Sequence, residues 1–343
     1  VPSAFHANAG ATGVRKLYLE EMNLRCCYSF ENRHKLFEIH SSFKFALVIA
    51  SRQGPTKEFR CAFYLHDDEW LFGDRNDREL VYSIQFVRAS GGSYLSFLEI
   101  QVETAVLIAE QMMANRQSFA EYCSANNIKL QKQPVALDMA NESYRFVPTI
   151  QLLADESDPR EYAVRTKLIH TGVFYLAEGK TFHQYDELWG ERPAYCVPLN
   201  HLDNNPLWIE MGRHYRLAMR AVASSTNERT GIFAVLSPGV TVGHSVALER
   251  SPDQVARNKV LALCSHCNTF TFDWILRLMT SANVTLFVLN LMPIKLTANI
   301  APVLVHGGLR LTCNHAGYAP LWHDQLGDIW REPAPPCTWP VLA

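Results

Sequence analysis

A group of arginines between Pro206 and Gly231 is the first feature of the sequence that could do chemistry. Arg213, Arg216 and Arg220 recur at spacings of three and four residues, which is typical of one face of an α-helix. The opposite face of that helix would be apolar, made of Trp208, Met211, Tyr215, Ala218, Met219 and Val222. We therefore predict a helix with a basic stripe that could neutralise phosphates or read guanine. The alternative is a solvated helix face, or one paired with nearby acids.

A second basic segment, GKTFHQYDELW at residues 179–189, mixes cations with aromatic rings. It holds Lys180, His183, Tyr185 and Trp189. Cations contact phosphates and aromatic rings stack on bases, so Lys180 and His183 are candidate DNA-binding residues. A loop at a domain interface is an equally good interpretation.

Two pairs of possible metal ligands follow in the last third of the chain. Cys264 and Cys267 in CSHC have the separation of zinc ligands, and Cys313 and His315 could form the second pair. However, CSHC falls where a helix is predicted to end, and Cys-Asn-His is an unusual second half. We therefore expect buried thiols and no metal site.

Carboxylates at a spacing suited to catalysis are harder to find. Asp273 and Arg277 lie four residues apart, which predicts an ion pair on a helix. Arg229 is expected to be structural, pairing inside its own domain. The spacing of the sequence indicates no Ser-His-Asp arrangement.

The composition limits the kind of partner this chain can have. Lys and Arg number 32 against 34 Asp and Glu, so any nucleic-acid surface must be a local patch. No apolar run reaches the roughly 18 residues of a membrane span, and the opening VPSAFHANAG lacks a secretory pattern. The nine irregularly spaced cysteines indicate reduced thiols. We expect a cytoplasmic protein with no membrane partner.

Hydrophobic periodicity divides the chain into an α/β part and an α+β part. A helix is predicted over 13–25, followed by strands at CCYSF, FKFALVIA and 59–66, with FKFALVIA apolar on both faces as inside a covered sheet. The polar run at 67–79 is the predicted boundary. Later segments predict helices at EIQVETAVLIAEQMMANR, PDQVARNKVLALC and TFDWILRLMTS, and strands at RFVPTIQLL, TGVFYLAEG and GIFAVLS. The expected domains are 1–66, 67–330 and a proline-rich tail at 331–343.

Several segments, in their order along the chain, carry a resemblance to a known family. They are VPSAF, GATGVRKLYLEE, YSFENRHKLFEIHSSFKFALV, GKTFHQYD, YRLAMRAVASSTNERTGIFAVLSPGVTVGHS and FDWILRLMTSANVTLFVLNLMPI. Together they resemble adenine-specific DNA methyltransferases of the type IIG restriction-modification and BREX phage-defence branch. The resemblance runs from Val1 to about Pro293. It implies that 1–66 closes a class I methyltransferase sheet and that 67–330 is a target-recognition domain for double-stranded DNA.

The chain departs from this family where catalysis would occur. The family's Asn/Asp/Ser-Pro-Pro-Tyr/Phe motif positions the adenine amino group for attack on the methyl of S-adenosylmethionine. Here NNPLW at 204–208 has one proline, and no glycine-rich turn has a strand-turn-helix context. We therefore expect a fragment that is inactive alone, with the cofactor bound only when the missing N-terminal methyltransferase portion is present. A non-catalytic DNA-specificity subunit and, third, an unrelated metal-binding enzyme are the alternatives.

The loop between CCYSF and FKFALVIA is where the family holds its target base. A methyltransferase must extrude adenine from the duplex and hold it, commonly between aromatic rings. The resemblance implies that Phe37 stacks on the flipped base and that His40 and Lys44 contact phosphates. The alternatives are a core position for Phe37 and ordinary solvated roles for the other two.

Overall fold

The computed structural model describes residues 1–2, 4–41, 43–75, 78–114, 116–132, 136–153, 157–202, 206–223, 227–250, 252–280 and 283–327. The chain is a mixed α/β protein that divides into two compact units, Val1–Gln117 and Ser118–Ala343. The predicted tail at 331–343 lies outside the described residues. No helix in the described ranges is long and apolar enough to cross a membrane.

The first unit is built on a four-stranded sheet in the order β2-β1-β3-β4. Its strands are β1 (Asn23–Glu31), β2 (Lys44–Ser51), β3 (Glu58–Leu65) and β4 (Leu80–Ser83). β1 is antiparallel to β2 and parallel to β3, and β4 is antiparallel to β3. A continuous run from Cys26 to Phe30 is buried, as expected for a central strand covered on both faces. The three strands predicted for this region are confirmed.

Strand β2 is less covered than its sequence predicts. Ile49 is 52% exposed, and most of the strand is only half-buried. The reason is position: β2 lies at the edge of the sheet, although Val1 and Ala46 exchange two backbone hydrogen bonds on its outer side, at 2.7 and 2.9 Å. The prediction of a strand buried on both faces is therefore wrong for β2.

Helices flank this sheet and extend the unit past the predicted boundary. They are α1 (Ala4–Ala7), α2 (Thr12–Lys16), a π-helical turn (Leu17–Glu21), α3 (Ile84–Gly91) and α4 (Glu103–Met113). The helix predicted over 13–25 thus ends at Glu21, because β1 begins at Asn23. The polar run at 67–79 precedes β4, which pairs with β3, so the first unit continues well beyond residue 66.

The second unit contains two larger sheets around a shared apolar core. Their orders are β7-β13-β9-β10-β8 and β12-β11-β14-β6. A two-residue strand, β5 (Gln117–Ser118), lies at the division between the units, and a last short strand is β15 (Pro293–Ile294). The sheet strands are β6 (Leu130–Gln131), β7 (Ala136–Leu137), β8 (Val147–Pro148), β9 (Val173–Ala177), β10 (Tyr195–Pro198), β11 (Arg216–Arg220), β12 (Phe233–Leu236), β13 (Val240–Gly243) and β14 (Val246–Glu249). Every residue of β9, β12, β13 and β14 is buried.

The helices of the second unit pack around these sheets. They are α5 (Phe119–Ala125), α6 (Thr149–Leu152), α7 (Tyr162–His170), α8 (Pro206–Met211), α9 (Arg257–Cys267), α10 (Phe270–Met279), α11 (Leu286–Leu291), α12 (Ala301–Thr312) and α13 (Ala319–Leu326). The predicted helices at α4, α9 and α10 are confirmed, as are the strands at β9 and β12. RFVPTIQLL contains the two-residue strand β8 and then the short helix α6.

The predicted helix carrying the three arginines is wrong. Helix α8 ends at Met211, and the residues from Arg216 to Arg220 form strand β11 in the middle of a sheet. Gly212 follows the helix at a close approach to the Phe174 ring, since a Cβ built there would lie 2.1 Å from that ring. In a strand, residues 216, 218 and 220 share one face of the sheet, so the helical stripe does not exist.

Candidate functional site

The loop between β1 and β2 carries Phe37, and we call its described residues, 32–41 and 43, the Phe37 loop. The side chain of Asn32, buried at its base, organises this loop. Asn32 Nδ2 donates to the carbonyl oxygens of Phe37 and Ile39, both at 2.9 Å, and Asn32 Oδ1 accepts from the Phe37 N–H at 3.0 Å. Lys35 takes up a left-handed conformation, with φ of 53°. The Asn32 side-chain amide therefore fixes the backbone at Phe37 and at Ile39.

The Phe37 ring is supported by one aromatic neighbour and is more than half exposed. It is 54% exposed and meets Phe45 in an edge-to-face contact with 4.7 Å between ring centroids. Phe45 in turn stacks on Phe30 at 5.4 Å. Such a ring has a supported position and exposed aromatic surface, and stacking on a base requires both. The core position considered for Phe37 is wrong, and its stacking on an extruded base stays a prediction.

The two basic candidates beside Phe37 differ in their surroundings. His40 is exposed, and its ring lies 6.3 Å from that of Phe43. Lys44 is 27% exposed and its Nζ lies 2.7 Å from Glu99 Oε2 and 4.1 Å from the centroid of the Tyr64 ring. Burial raises the pKa of Glu99, but the hydrogen bond from His6 and the charges of His6 and Lys44 outweigh it and lower that pKa to about 2. A phosphate would have to compete with this carboxylate for Lys44.

A cleft in the second unit brings together two of the residues that the sequence singles out. Lys180 and Arg220 line it with Glu178, Gly179, Val222 and Ser245, around a volume of about 270 Å³. Lys180 is exposed and pairs with the exposed Glu191 at 2.9 Å. The Arg220 guanidinium donates to the Phe182 carbonyl and lies 5.8 Å from the Trp189 ring centroid. Both cations could turn to an anionic ligand, because neither is locked in a buried ion pair.

The backbone around this cleft is held by a buried arginine. Arg160 is 4% exposed, donates to both carboxylate oxygens of Asp158, and donates to the carbonyls of Thr181 and Trp189 at 2.9 Å each. It therefore ties together the two ends of the segment that carries Lys180 and Trp189. The sequence does not suggest Asn32 or Arg160 as a functional residue. The one available signal is that Asn32 follows a predicted strand, because asparagine is common in turns.

His183 lies in the same segment and stacks obliquely on Trp189, with 4.5 Å between ring centroids. Burial lowers the pKa of His183, and the nearby charge of Arg220 lowers it further. The imidazole is therefore largely neutral at pH 7. It could stack or exchange hydrogen bonds with a ligand there, but it would not supply a positive charge.

The other two arginines of the predicted basic stripe, Arg213 and Arg216, lie in different environments. Arg213 is exposed, with a guanidinium nitrogen 3.8 Å from Glu210. Arg216 is 2% exposed and donates to the carbonyl of Val240, and burial lowers its pKa to about 10. Its side chain is enclosed within the unit, so Arg216 is corrected from a DNA-binding candidate to a structural residue.

The cysteine and histidine pairs do not converge. Cys264 and Cys267 are buried within α9, and burial raises the pKa of Cys264 to about 12, which favours a neutral thiol. His266, between them, lies 3.2 Å from the Pro293 carbonyl. Among the described residues, no group of three or more His, Cys, Asp or Glu side chains is placed to hold a metal ion.

Two internal ion-pair predictions are confirmed in this unit. Arg277 donates to Asp273 at 2.9 Å, four residues away on α10. Arg229 lies 3.8 Å from the same carboxylate and 3.8 Å above the Phe270 ring. Asp273 also accepts from the N–H groups of Thr230 and Gly231. These charges stabilise the fold and are not available as a catalytic set.

A buried carboxylate network around Glu187 is a further electrostatic feature that the sequence does not reveal. Glu187 is 1% exposed and accepts hydrogen bonds from Arg165 at 2.6 Å, His315 at 2.8 Å and the Ser237 hydroxyl at 2.6 Å. Burial alone would raise its pKa, but these partners lower it to about 2. His315, considered above as a zinc ligand, is therefore engaged with a carboxylate.

Comparisons with known proteins give distant likenesses only. No protein-family model matches the chain, and no curated protein matches it. The solved structure of the type IIL restriction-modification enzyme MmeI in complex with DNA is similar with a TM-score of 0.41 at 8% identity, over 89% of this chain and 40% of that one. The type IIG restriction endonuclease BpuSI gives 0.36 at 8% identity, over 90% and 41%.

A nuclease-deletion mutant of the type ISP restriction-modification enzyme LlaGI, with a DNA substrate mimic, gives a TM-score of 0.36 at 10% identity, over 88% of this chain and 28% of that one. The chain thus spans less than half the length of each of these structures. Their TM-scores are too low to establish a shared fold.

Proposed function

We propose that this chain is the C-terminal, target-recognition portion of an S-adenosylmethionine-dependent DNA adenine-N6 methyltransferase of a restriction-modification or phage-defence system. The family is supported by the matching sequence segments, which follow the family's order along the chain from Val1 to about Pro293. The observation that carries the mechanism is Phe37, a half-exposed ring on a loop whose backbone is fixed. In this proposal the ring forms one side of a clamp for the extruded adenine.

The second unit would supply contacts to the DNA backbone. Lys180 and Arg220 line one cleft, with Trp189 and His183 beside it. Cations placed next to aromatic rings suit a strand whose phosphates and bases are both within reach. Lys44, His40 and Arg213 would be secondary, and Arg216 is excluded by its burial.

S-adenosylmethionine is the proposed cofactor of the complete enzyme, but its binding site is not proposed to lie in this chain. The sequence has neither the catalytic motif nor a glycine-rich turn in a strand-turn-helix context. No residue here is assigned to S-adenosylmethionine, and the 343-residue chain should not methylate DNA by itself. Methylation of adenine by this chain alone would refute the proposal.

Base extrusion by the complete gene product tests the role of Phe37. Fluorescence of 2-aminopurine at the target position should rise on binding of the wild-type protein. Phe37→Ala should reduce the extruded fraction by about tenfold, because base–aromatic stacking contributes about 1–3 kcal/mol. Phe37→Tyr should retain the signal. Phe72→Ala is the matched control, since Phe72 is 86% exposed in the same unit; equal signals from Phe37→Ala and Phe72→Ala would contradict the clamp.

Salt dependence of duplex binding tests the cleft. Lys180→Gln and Arg220→Gln should each reduce the slope of log K against log salt by about 0.9, because each removes one phosphate contact. Lys167→Gln, an exposed lysine on α7, is the control of equal charge. A slope that falls as much in the control, or not at all in the two cleft variants, would remove the cleft from the interface.

A further inference from the structure

We propose that Asn32 is a positioning residue that sets the Phe37 ring in place before DNA binds. This inference rests on the proposed function, because it concerns how that clamp is built. Asn32 is fully buried, with 0% of its surface exposed, although neighbours 33–35 and 37–41 of the loop are exposed. Burying a polar side chain costs free energy unless its hydrogen bonds are satisfied.

The hydrogen bonds of Asn32 all act on its own loop. Its side chain makes three, to the Phe37 N–H, the Phe37 carbonyl and the Ile39 carbonyl. Its backbone makes two more, since the Asn32 N–H donates to the Phe43 carbonyl and the Lys35 N–H donates to the Asn32 carbonyl, both at 3.0 Å. The loop is therefore closed around one residue, and Phe37 is the residue that it holds most directly.

The chemistry of the amide makes Asn32 hard to replace. The site needs two donors and one acceptor within a short side chain, which is what asparagine offers. Aspartate has the same shape and could still accept from the Phe37 N–H. It cannot donate, and it would set a carboxylate oxygen against the carbonyls of Phe37 and Ile39. Asn32→Asp should therefore disturb the loop at least as much as Asn32→Ala.

The benefit of this arrangement would be pre-organisation. An exposed aromatic residue on a disordered loop must be ordered when it binds, which weakens binding. Fixing the Phe37 backbone beforehand, with the ring in contact with Phe45, lowers that cost. Loss of the amide should thus weaken base stacking without changing the phosphate contacts elsewhere, a separation that general unfolding would not produce.

Two measurements test the inference, with Glu38→Ala as an exposed control in the same loop. In the first, hydrogen exchange at the Phe37 amide should be about tenfold faster in Asn32→Ala than in wild type, while β1 amides keep their protection. Unchanged exchange at Phe37 would overturn the inference. In the second, 2-aminopurine fluorescence with the complete gene product should fall about tenfold in Asn32→Ala and Asn32→Asp, while the affinity for duplex without the target adenine, which depends on the phosphate contacts, stays unchanged.

The outcomes separate this inference from the proposed function. If Phe37→Ala loses the fluorescence signal while both Asn32 variants keep it, Asn32 is not a positioning residue and the clamp stands. If neither Phe37→Ala nor the Asn32 variants change the signal, the clamp fails and the inference fails with it. If all three lose the signal and Glu38→Ala does not, both are supported.

Discussion

Replacing the Glu187 carboxylate by an amide, in Glu187→Gln, would leave the buried Arg165 guanidinium without its counter-ion. The Gln Oε1 could still accept the three hydrogen bonds that now reach Glu187 Oε1, from Arg165, His315 and the Ser237 hydroxyl. Its Nε2, however, would stand where an acceptor now receives the Ser237 N–H at 2.9 Å, so two donors would meet. Breaking a buried pair by removing one partner costs about 3–5 kcal/mol.

The pKa of Glu187 leads to a similar magnitude. It falls from 4.5 to about 2 in the folded protein, and each tenfold change in affinity for the proton corresponds to about 1.4 kcal/mol. The ionised carboxylate therefore stabilises the fold by about 3 kcal/mol at pH 7. Because the folded pKa is depressed, this stabilisation is complete above pH 4.5 and is lost as the pH falls towards 2.

The assay must report on the second unit alone. Urea titrations read by deuterium uptake of the buried β9 peptide, residues 173–177, meet this need. At pH 7, Glu187→Gln should lower the free energy of unfolding by about 3 kcal/mol. Near pH 3, less than about half of that difference should remain, because the unfolded wild-type chain is then mostly protonated.

A matched control is Glu191→Gln, which removes an exposed carboxylate paired with Lys180. Its effect should stay within about 0.5 kcal/mol, as for surface ion pairs in general. The reasoning is refuted if the difference between wild type and Glu187→Gln is the same at pH 7 and pH 3, or if it is no larger than that of the control.

Two further predictions concern backbone and charge. Arg216→Met should leave the salt slope of DNA binding unchanged, because Arg216 is buried. Arg213 is exposed, so Arg213→Gln should lower that slope by about 0.9 if Arg213 touches a phosphate. A changed slope for Arg216→Met would show that Arg216 does contact DNA. Gly190→Ala should destabilise the second unit in urea titrations by more than Gly172→Ala. Both glycines have positive φ, +82° and +72°, but only at Gly190 would the new Cβ meet backbone, 2.4 Å from the Lys180 carbonyl oxygen; equal losses would show that the contact is relieved.

Features decided by a few neighbouring residues were predictable from sequence. The strands β1, β2 and β3, the helices α9 and α10 and the ion pair between Asp273 and Arg277 all follow from local periodicity. The proximity of Phe37 to the loop tip follows from the same hairpin. These elements need no knowledge of what packs against them.

The segment from Arg213 to Arg220 shows where local periodicity fails. In YRLAMRAV, apolar and basic residues fit a helical period and a strand period nearly as well, and the short length cannot decide between them. The sheet position decides: β11 pairs with β12 along one edge and with β14 along the other, and its residues 216–219 are all buried. An arginine that a helix would expose is then enclosed, with the Val240 carbonyl as its partner.

Buried polar side chains are the second kind of feature that local sequence patterns do not predict. From sequence alone, Asn32, Arg160 and Glu187 are each most simply interpreted as solvated. In the structure each is at most 4% exposed, because its hydrogen bonds are satisfied inside the protein. The partners of Asn32 lie in its own loop, whereas Arg160 and Glu187 also bind residues more than 20 positions away. Two of them hold segments that present exposed candidates: Asn32 holds Phe37, and Arg160 holds the segment with Lys180. Sequence patterns thus indicate the groups that could meet a ligand, whereas the buried polar groups that keep them in place become visible only once the folded backbone brings their hydrogen-bond partners together.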